Sequence, residues 1–338
     1  MAFALFLLLA ASPTFEESFR AGLLALQRND LPVAAANLGA AAKREPNNGR
    51  VWVALAQTYW KQNDPRKADD AAAKAALHGS SDAVVQSSLT IYYSESGQTL
   101  KAAEAQAKYA SLLPQNADAR QKAESLYFEA VQPLLQKQKF GEAIGILSKA
   151  REQVPNSAQL ELALGVACYG LRRFDEAADA FLRTIALAPE VAQPYVFLGK
   201  FLDQIPGKLP AVTQAFERYE AANPASATGY LLHAKALNAQ SIEPETARKL
   251  LEKAISIDAR DASAHFEMGV VLDRTRKYAD AAGEFERAAA LNPSDSATHY
   301  RLSRLYDRMG KTDAAKTERE IHARLVAAEQ AAQVIPPK

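Results

Sequence analysis

Proline recurs along this 338-residue chain at near-regular intervals, at Pro46, Pro114, Pro155, Pro189, Pro224 and Pro293, and the segments between share one pattern of small and large residues. A fixed period of about 34 residues constrains the fold more than any single motif, because such self-similarity means an array of one supersecondary unit. Each unit of an array touches only its neighbours, so the core grows in one dimension and the exposed surface is extended rather than closed into a pocket. The two or three globular domains that this length would otherwise imply do not apply.

The unit can be read from the segment ending at Pro293. His265, Met268, Gly269 and Leu272 fall on one face of a helix. Arg276-Lys277-Tyr278 break the pattern, and Ala281, Phe285 and Ala288 then mark the inner face of a second helix that Pro293 stops. Two short helices with a tight connection make an antiparallel helical hairpin. The same template runs through Trp52, Leu55, Ala56 and Tyr59, followed by Ala68, Ala72 and Ala75. It returns at Leu164, Gly165 and Cys168 before Ala177 and Phe181, and at Tyr195, Leu198, Gly199 and Leu202 before Phe216. The small residues Gly165, Gly199 and Gly269 are expected where two helices cross, with large residues such as Phe181 and Phe285 filling the space left; a leucine at Gly165 would overpack that crossing.

Trp52-Val53-Ala54-Leu55-Ala56-Gln57-Thr58-Tyr59 closely resembles the first half of a tetratricopeptide repeat, W-x2-L-G-x2-Y, and the later A-x3-F…P also recurs. The resemblance covers about nine units between residues 15 and 325. It implies an all-α chain, a right-handed α-solenoid of antiparallel hairpins whose first helices line a groove for peptides or partner helices. Some members of that family clamp a chaperone's terminal carboxylate with Lys and Asn; the first unit has Phe19 and Leu23 where that clamp would begin, which opposes this specificity.

Departures from the period are expected to be local. Pro114 to Pro155 spans 41 residues, a surplus of seven near 117–123, and is read as an insertion in a surface connection. Seven residues are almost two helical turns, so the facing of the following helix is kept. Pro133 should kink or bend its helix. The stretch 203–210 is read as a lengthened turn, 316–333 as a polar helix capping the array, and 334–338 as a disordered tail. The opening MAFALFLLLAA matches the apolar core of a secretory signal peptide and is too short to span a bilayer, so 1–12 is read as a leader and the mature chain as periplasmic or secreted from a bacterium.

Charge and chemistry narrow the function. Forty Lys and Arg against 39 Asp and Glu give a net charge of +1, which supplies no electrostatic footprint for nucleic acid. A single cysteine, Cys168, excludes an internal disulfide and is read as a buried thiol. No two of His78, His233, His265, His299 and His322 have the i, i+4 spacing of helical metal ligands, so neither metal nor cofactor is expected. His265 and His299 hold equivalent positions in adjacent units and are read as packing residues. Gly310-Lys311-Thr312 lacks the upstream glycine of a phosphate-binding loop. The expectation is therefore a non-catalytic interaction scaffold. The alternatives are a targeting or regulatory subunit of an envelope enzyme or export complex, and, opposed by the balanced charge, a helical-repeat nucleic-acid reader.

The groove face follows from helix geometry. It comprises residues one and five places after each opener, and three or four further on. Early units supply Trp60, beside Val53, Gln57 and Lys61. The middle units give Phe128 and Gln132, then Leu162, Val166 and Tyr169, an apolar floor with an aromatic rim suited to anchoring partner side chains. Later units give Lys200, then Lys235 beside Leu231 and Asn238. Phe266, Asp273 and Arg274 follow, and Tyr300, Arg304, Asp307 and Arg308 close the series. The arginines there suit a carboxylate or acidic segment; pairing with Asp273 and Asp307 is the equal alternative.

Overall fold

The structure, a computed structural model, describes residues 13–334; the leader reading of 1–12 and the tail beyond Val334 lie outside the described residues. Those residues form eighteen α-helices and two short 3-10 turns, with no strand among them. Two compact units divide the chain after Leu171. The first holds α1 (Phe15–Gln27), α2 (Leu31–Arg44), α3 (Gly49–Lys61), α4 (Pro65–His78), α5 (Ala83–Glu95), α6 (Thr99–Leu112), α7 (Ala117–Gln136), α8 (Phe140–Gln153) and α9 (Ala158–Gly170). The second holds α10 (Phe174–Leu187), α11 (Gln193–Leu198), α12 (Leu209–Ala222), α13 (Ala227–Gln240), α14 (Pro244–Ile257), α15 (Ala262–Arg274), α16 (Tyr278–Leu291), α17 (Ser296–Arg308) and α18 (Thr312–Val334). Each unit is a stack of helical hairpins, an all-α repeat solenoid.

The hairpin turn is the same device throughout. Asn29, Asn63, Gly97 and Gln138 in the first unit, and Arg276 and Gly310 in the second, have φ between 56° and 73°. Each sits just past a first helix, and the next residue's N–H reaches back to close the last turn: Asp30 to Ala25 O at 2.9 Å, Lys277 to Leu272 O at 2.9 Å, Lys311 to Tyr306 O at 2.8 Å. This left-handed C-terminal cap satisfies carbonyls the helix would otherwise leave exposed. The following helix starts at once, capped at Asp30 and Asp64 by a side chain that accepts the N–H of Val33 or Lys67.

The turn between hairpins has its own tie. Trp52 Nε1 donates to Pro46 O at 2.6 Å, and the hydroxyls of Tyr195 and Tyr230 donate to Pro189 O and Pro224 O at 3.0 and 3.1 Å. His265 Nε2 lies 3.2 Å from Ala259 O and His299 Nε2 3.1 Å from Pro293 O. In all five the partner is six residues back. The Nδ1 atoms of the two histidines meet Glu284 and Glu318 at 2.6 Å, on the second helices α16 and α18. These histidines thus stitch a hairpin to the turn before it, a structural role the sequence assigned only as packing.

One position of the second helix carries the core: Leu38, Leu147, Phe181, Phe216, Leu251 and Phe285 are all at most 1 % exposed. Gly22 and Gly269 face Leu38 and Phe285 so closely that an added Cβ would lie 2.6 and 2.8 Å from the side chain. Gly199 instead meets Leu232 of the next hairpin.

Two local expectations need correction. The surplus at 117–123 is not a surface connection: it is two extra turns that make α7 twenty residues long where α3, α5 and α9 have thirteen. Its Ala119 and Ala123 are buried, and the buried Gln106 of α6 donates to Ala119 O at 3.0 Å. Pro133 lies within the last turn of α7, which continues to Gln136. The stretched turn of 203–210 is likewise no mere surface loop. Here α11 stops at Leu198 and the chain coils inward through two 3-10 turns, burying Phe201, Leu202, Ile205 and Leu209. Residues 316–333 are helical as expected, and the helix runs unbroken from Thr312.

Candidate functional site

The first helices of each unit carry the residues expected to line a groove. In the first unit, α1, α3 and α5 enclose a cavity of about 360 Å³. Its walls include Leu23, Leu26, Gln57, Trp60, Ile91 and Glu95. Trp60 meets Tyr92 edge-on, with ring centroids 6.0 Å apart. The Tyr92 hydroxyl donates to Asp69 at 2.7 Å, and burial followed by that carboxylate pushes the phenol well above its ordinary range, so it stays a donor. Leu23 and Ile91 are 41 % and 48 % exposed, an uncovered apolar rim around an aromatic floor. Val53, expected on this face, is buried in the core.

Further along the first unit, Phe128 and Gln132 sit on α7, and Leu162, Val166 and Tyr169 on α9, which packs beside it. Gln132 is exposed and the other four are half-buried. Their partial burial reflects packing between these two helices as much as an open floor.

In the second unit the predicted residues divide. Lys235, Phe266 and Tyr300, on α13, α15 and α17, come together around a cavity of about 450 Å³. Glu267, Arg301 and Asn238 share its lining. Lys200 reaches it too, but from the irregular stretch after α11 rather than from a helix, with its Nζ 5.1 Å from the Phe197 ring centre. Leu231 is buried in the core. The arginine group is largely engaged with its own unit: Arg308 with Asp273, Arg319 with Asp307, Arg304 with the Tyr300 hydroxyl at 3.0 Å, and Arg274 with Asn238 O at 3.4 Å. Of the internal pairing offered as one reading of these residues, the geometry contains Arg308 with Asp273; Asp307 is taken by Arg319 instead.

Glu267 is the residue the sequence reasoning passed over. It lies two places after the opener His265, on a helix otherwise facing inward, and is only 8 % exposed. Burial raises its carboxyl above the ordinary value of 4.5, with Lys235 and the Asn238 amide pulling the other way. An acid so shifted binds its proton more tightly folded than unfolded, so stability falls as pH rises from 4.5 through the folded value. Glu267→Gln should therefore raise the melting temperature at pH 7, with the gain disappearing below pH 4.5. Thermal melts across pH 4–8 decide it; a lower melting temperature at pH 7 contradicts the burial account. The visible hint was a lone acid in the apolar run Phe266-Glu267-Met268-Gly269-Val270-Val271.

Among the described residues no helix is long and apolar enough to cross a membrane, and no group of three or more His, Cys, Asp or Glu is placed to hold a metal ion. Cys168 is buried.

Profiles of the tetratricopeptide repeat match residues 128–192 and 243–296, and 25–90, together more than half of the chain. The chain belongs to the tetratricopeptide repeat family, whose members bind other proteins and are generally non-catalytic. No curated protein matches it significantly. Similar solved structures include MamA from Desulfovibrio magneticus RS-1, 23 % identical over 51 % of this chain and 96 % of that one, with a TM-score of 0.43. A thermophilic TPR protein from Thermus thermophilus is 22 % identical over 52 % of this chain and all of its own, also at 0.43. PilF of Pseudomonas aeruginosa is 20 % identical over 59 % and 90 %, at 0.45.

Proposed function

We propose that this chain is a protein-interaction scaffold that holds a peptide segment or a helix of another protein against its first helices. The observation that carries the reading is the pair of cavities built by first helices of successive hairpins, one floored by Trp60 and one walled by Phe266. Both are preformed by packed helices, so little ordering cost falls on the receptor when a partner docks. Aromatic side chains in a partly desolvated recess are the residues on which binding energy concentrates. Trp60→Ala should weaken capture of a peptide selected on the first unit's face by about tenfold or more. Fluorescence anisotropy with that peptide tests it; unchanged affinity with the fold intact would remove the first-unit cavity from the reading.

We further propose that residues 1–12 are a leader and that this scaffold works in the periplasm or outside the cell. Amino-terminal sequencing of the mature protein from an envelope fraction is expected to begin near Ser12 or Pro13; a chain retaining Met1 in the cytoplasm overturns it.

A further inference from the structure

The first unit's cavity is walled by the same positions of three successive hairpins. Leu23, Gln57 and Ile91 stand one repeat apart on α1, α3 and α5, and Gln27, Lys61 and Glu95 do so one helical turn further on. Trp60 falls between the two rows on the middle helix. Because α1 packs on α3 and α3 on α5, equivalent positions on adjacent first helices are about 8–10 Å apart. One row is apolar at both ends, where Leu23 and Ile91 are exposed. The other carries opposite charges on adjacent helices, Lys61 on α3 and Glu95 on α5. These two are the charged residues of the wall, and among the described residues neither side chain has a hydrogen-bond or ion-pair partner.

That layout selects the backbone of what it holds. An extended segment brings main-chain N–H and C=O groups that need partners at every residue. The wall meets them with two side-chain amides, Gln27 and Gln57. A helix brings those groups already paired and presents a stripe of apolar side chains. It rises about 1.5 Å per residue, so the step from one first helix to the next takes about six or seven residues, and residues i and i+7 share a face.

We infer that the first unit's cavity takes an amphipathic helix of the partner lying across α1, α3 and α5. An acidic residue of that helix faces Lys61, a basic residue seven positions away faces Glu95, and a large apolar residue between them rests on Trp60. Its apolar stripe covers Leu23 and Ile91. The inference rests on the scaffold reading and adds the conformation of the bound segment and the signs and spacing of its charges.

The test displays helical peptides of about three turns' apolar stripe, Leu-rich on one face, with two positions seven apart randomised among Asp, Glu, Lys, Arg and Ser, and pans them on the full chain. Selected peptides are resynthesised and measured by fluorescence anisotropy against the unaltered protein, Lys61→Glu, Glu95→Lys and Trp60→Ala. Peptides pairing one acid with one base should be recovered, and should bind about fivefold more tightly than acid–acid or base–base versions, the scale of two exposed charge pairs. Glu95→Lys should turn the preference to two acids, and Lys61→Glu to two bases. Both side chains are exposed, so the fold is expected to survive, and a thermal melt checks it. Peptides that depend on Trp60 yet show no charge preference, or keep the same preference in both charge variants, overturn the inference and leave the scaffold reading standing. A proline placed mid-peptide that leaves affinity unchanged does the same, because an extended segment is then the occupant. Failure of every peptide to bind overturns the inference and also removes this cavity from the scaffold reading.

Discussion

Phe285→Ala is expected to destabilise the second unit by about 3–5 kcal/mol, the range for removing a fully buried aromatic ring. The Phe285 ring is 0 % exposed, and its Cδ1, Cε1 and Cγ lie 2.8–2.9 Å from where a Cβ on Gly269 would stand. It also meets Phe266 edge-on, with centroids 5.6 Å apart. The facing Gly269 has no side chain to extend into the vacated space, and Ala281, Ala282 and Ala288, near the ring on its own helix, are too short to fill it. In a stack where each hairpin touches only its neighbours, the loss should be local. The urea midpoint should drop and hydrogen exchange should accelerate in α14, α15 and α16 while helices of the first unit keep their protection. Uniform loss across both units would contradict the nearest-neighbour account. The complementary change, Gly269→Ala in the Phe285→Ala background, should recover part of the stability, since the added methyl now enters space instead of a ring.

What the sequence disclosed and what it withheld differ in kind. The period, the hairpins and the inward positions were legible because they rest on spacings that every copy repeats: Phe181, Phe216 and Phe285 recur at one register, and each is fully buried. The seven-residue surplus was located correctly, but its nature was not, since length alone does not separate a loop from two helical turns. Ala119 and Ala123, four apart and small, were the hint that those residues pack. At α11 the template residues Tyr195, Leu198, Gly199 and Leu202 imitate a full helix. The structure breaks it after Leu198 because Phe201, Leu202 and Ile205 gain more by turning into the core than by continuing outward. The candidate site fared unevenly for a related reason. Positions one and five after the opener were assumed to point alike in every unit, yet Val53 and Leu231 are core while Tyr300 is exposed. Neighbouring side chains, which differ between units, decide that. Glu267 and Arg301, two places after the opener, escaped notice because the apolar template has no rule for a charge at that position.

The same template also sets the second large effect, at Gly49, where two backbones rather than a side chain and a backbone come together. A Cβ on Gly49 would lie 2.7 Å from Gly79 Cα and 2.8 Å from Gly79 N. Gly79, which caps α4, is closed in turn: its own Cβ would fall 2.5 Å from Val85 Cγ1. The start of α3 is further tied down by Trp52 to Pro46 O and by the Arg50–Asp82 ion pair at 2.6 Å, so neither backbone has room to slide. A side chain can yield by changing rotamer; a main chain so anchored cannot. Gly49→Val should therefore cost about 3 kcal/mol, the upper end for overpacking. Gly39, in α2, is the control, because nothing lies within 4 Å of its added Cβ. Gly39→Ala should stabilise by about 0.5–1 kcal/mol through the lost entropy of the unfolded chain and better helix propensity. Urea melts of the two variants beside the unaltered chain should move in opposite directions. A Gly49→Val midpoint equal to that of Gly39→Ala would mean that α3 and α4 are free to part at this point, and that the small residue marks no contact.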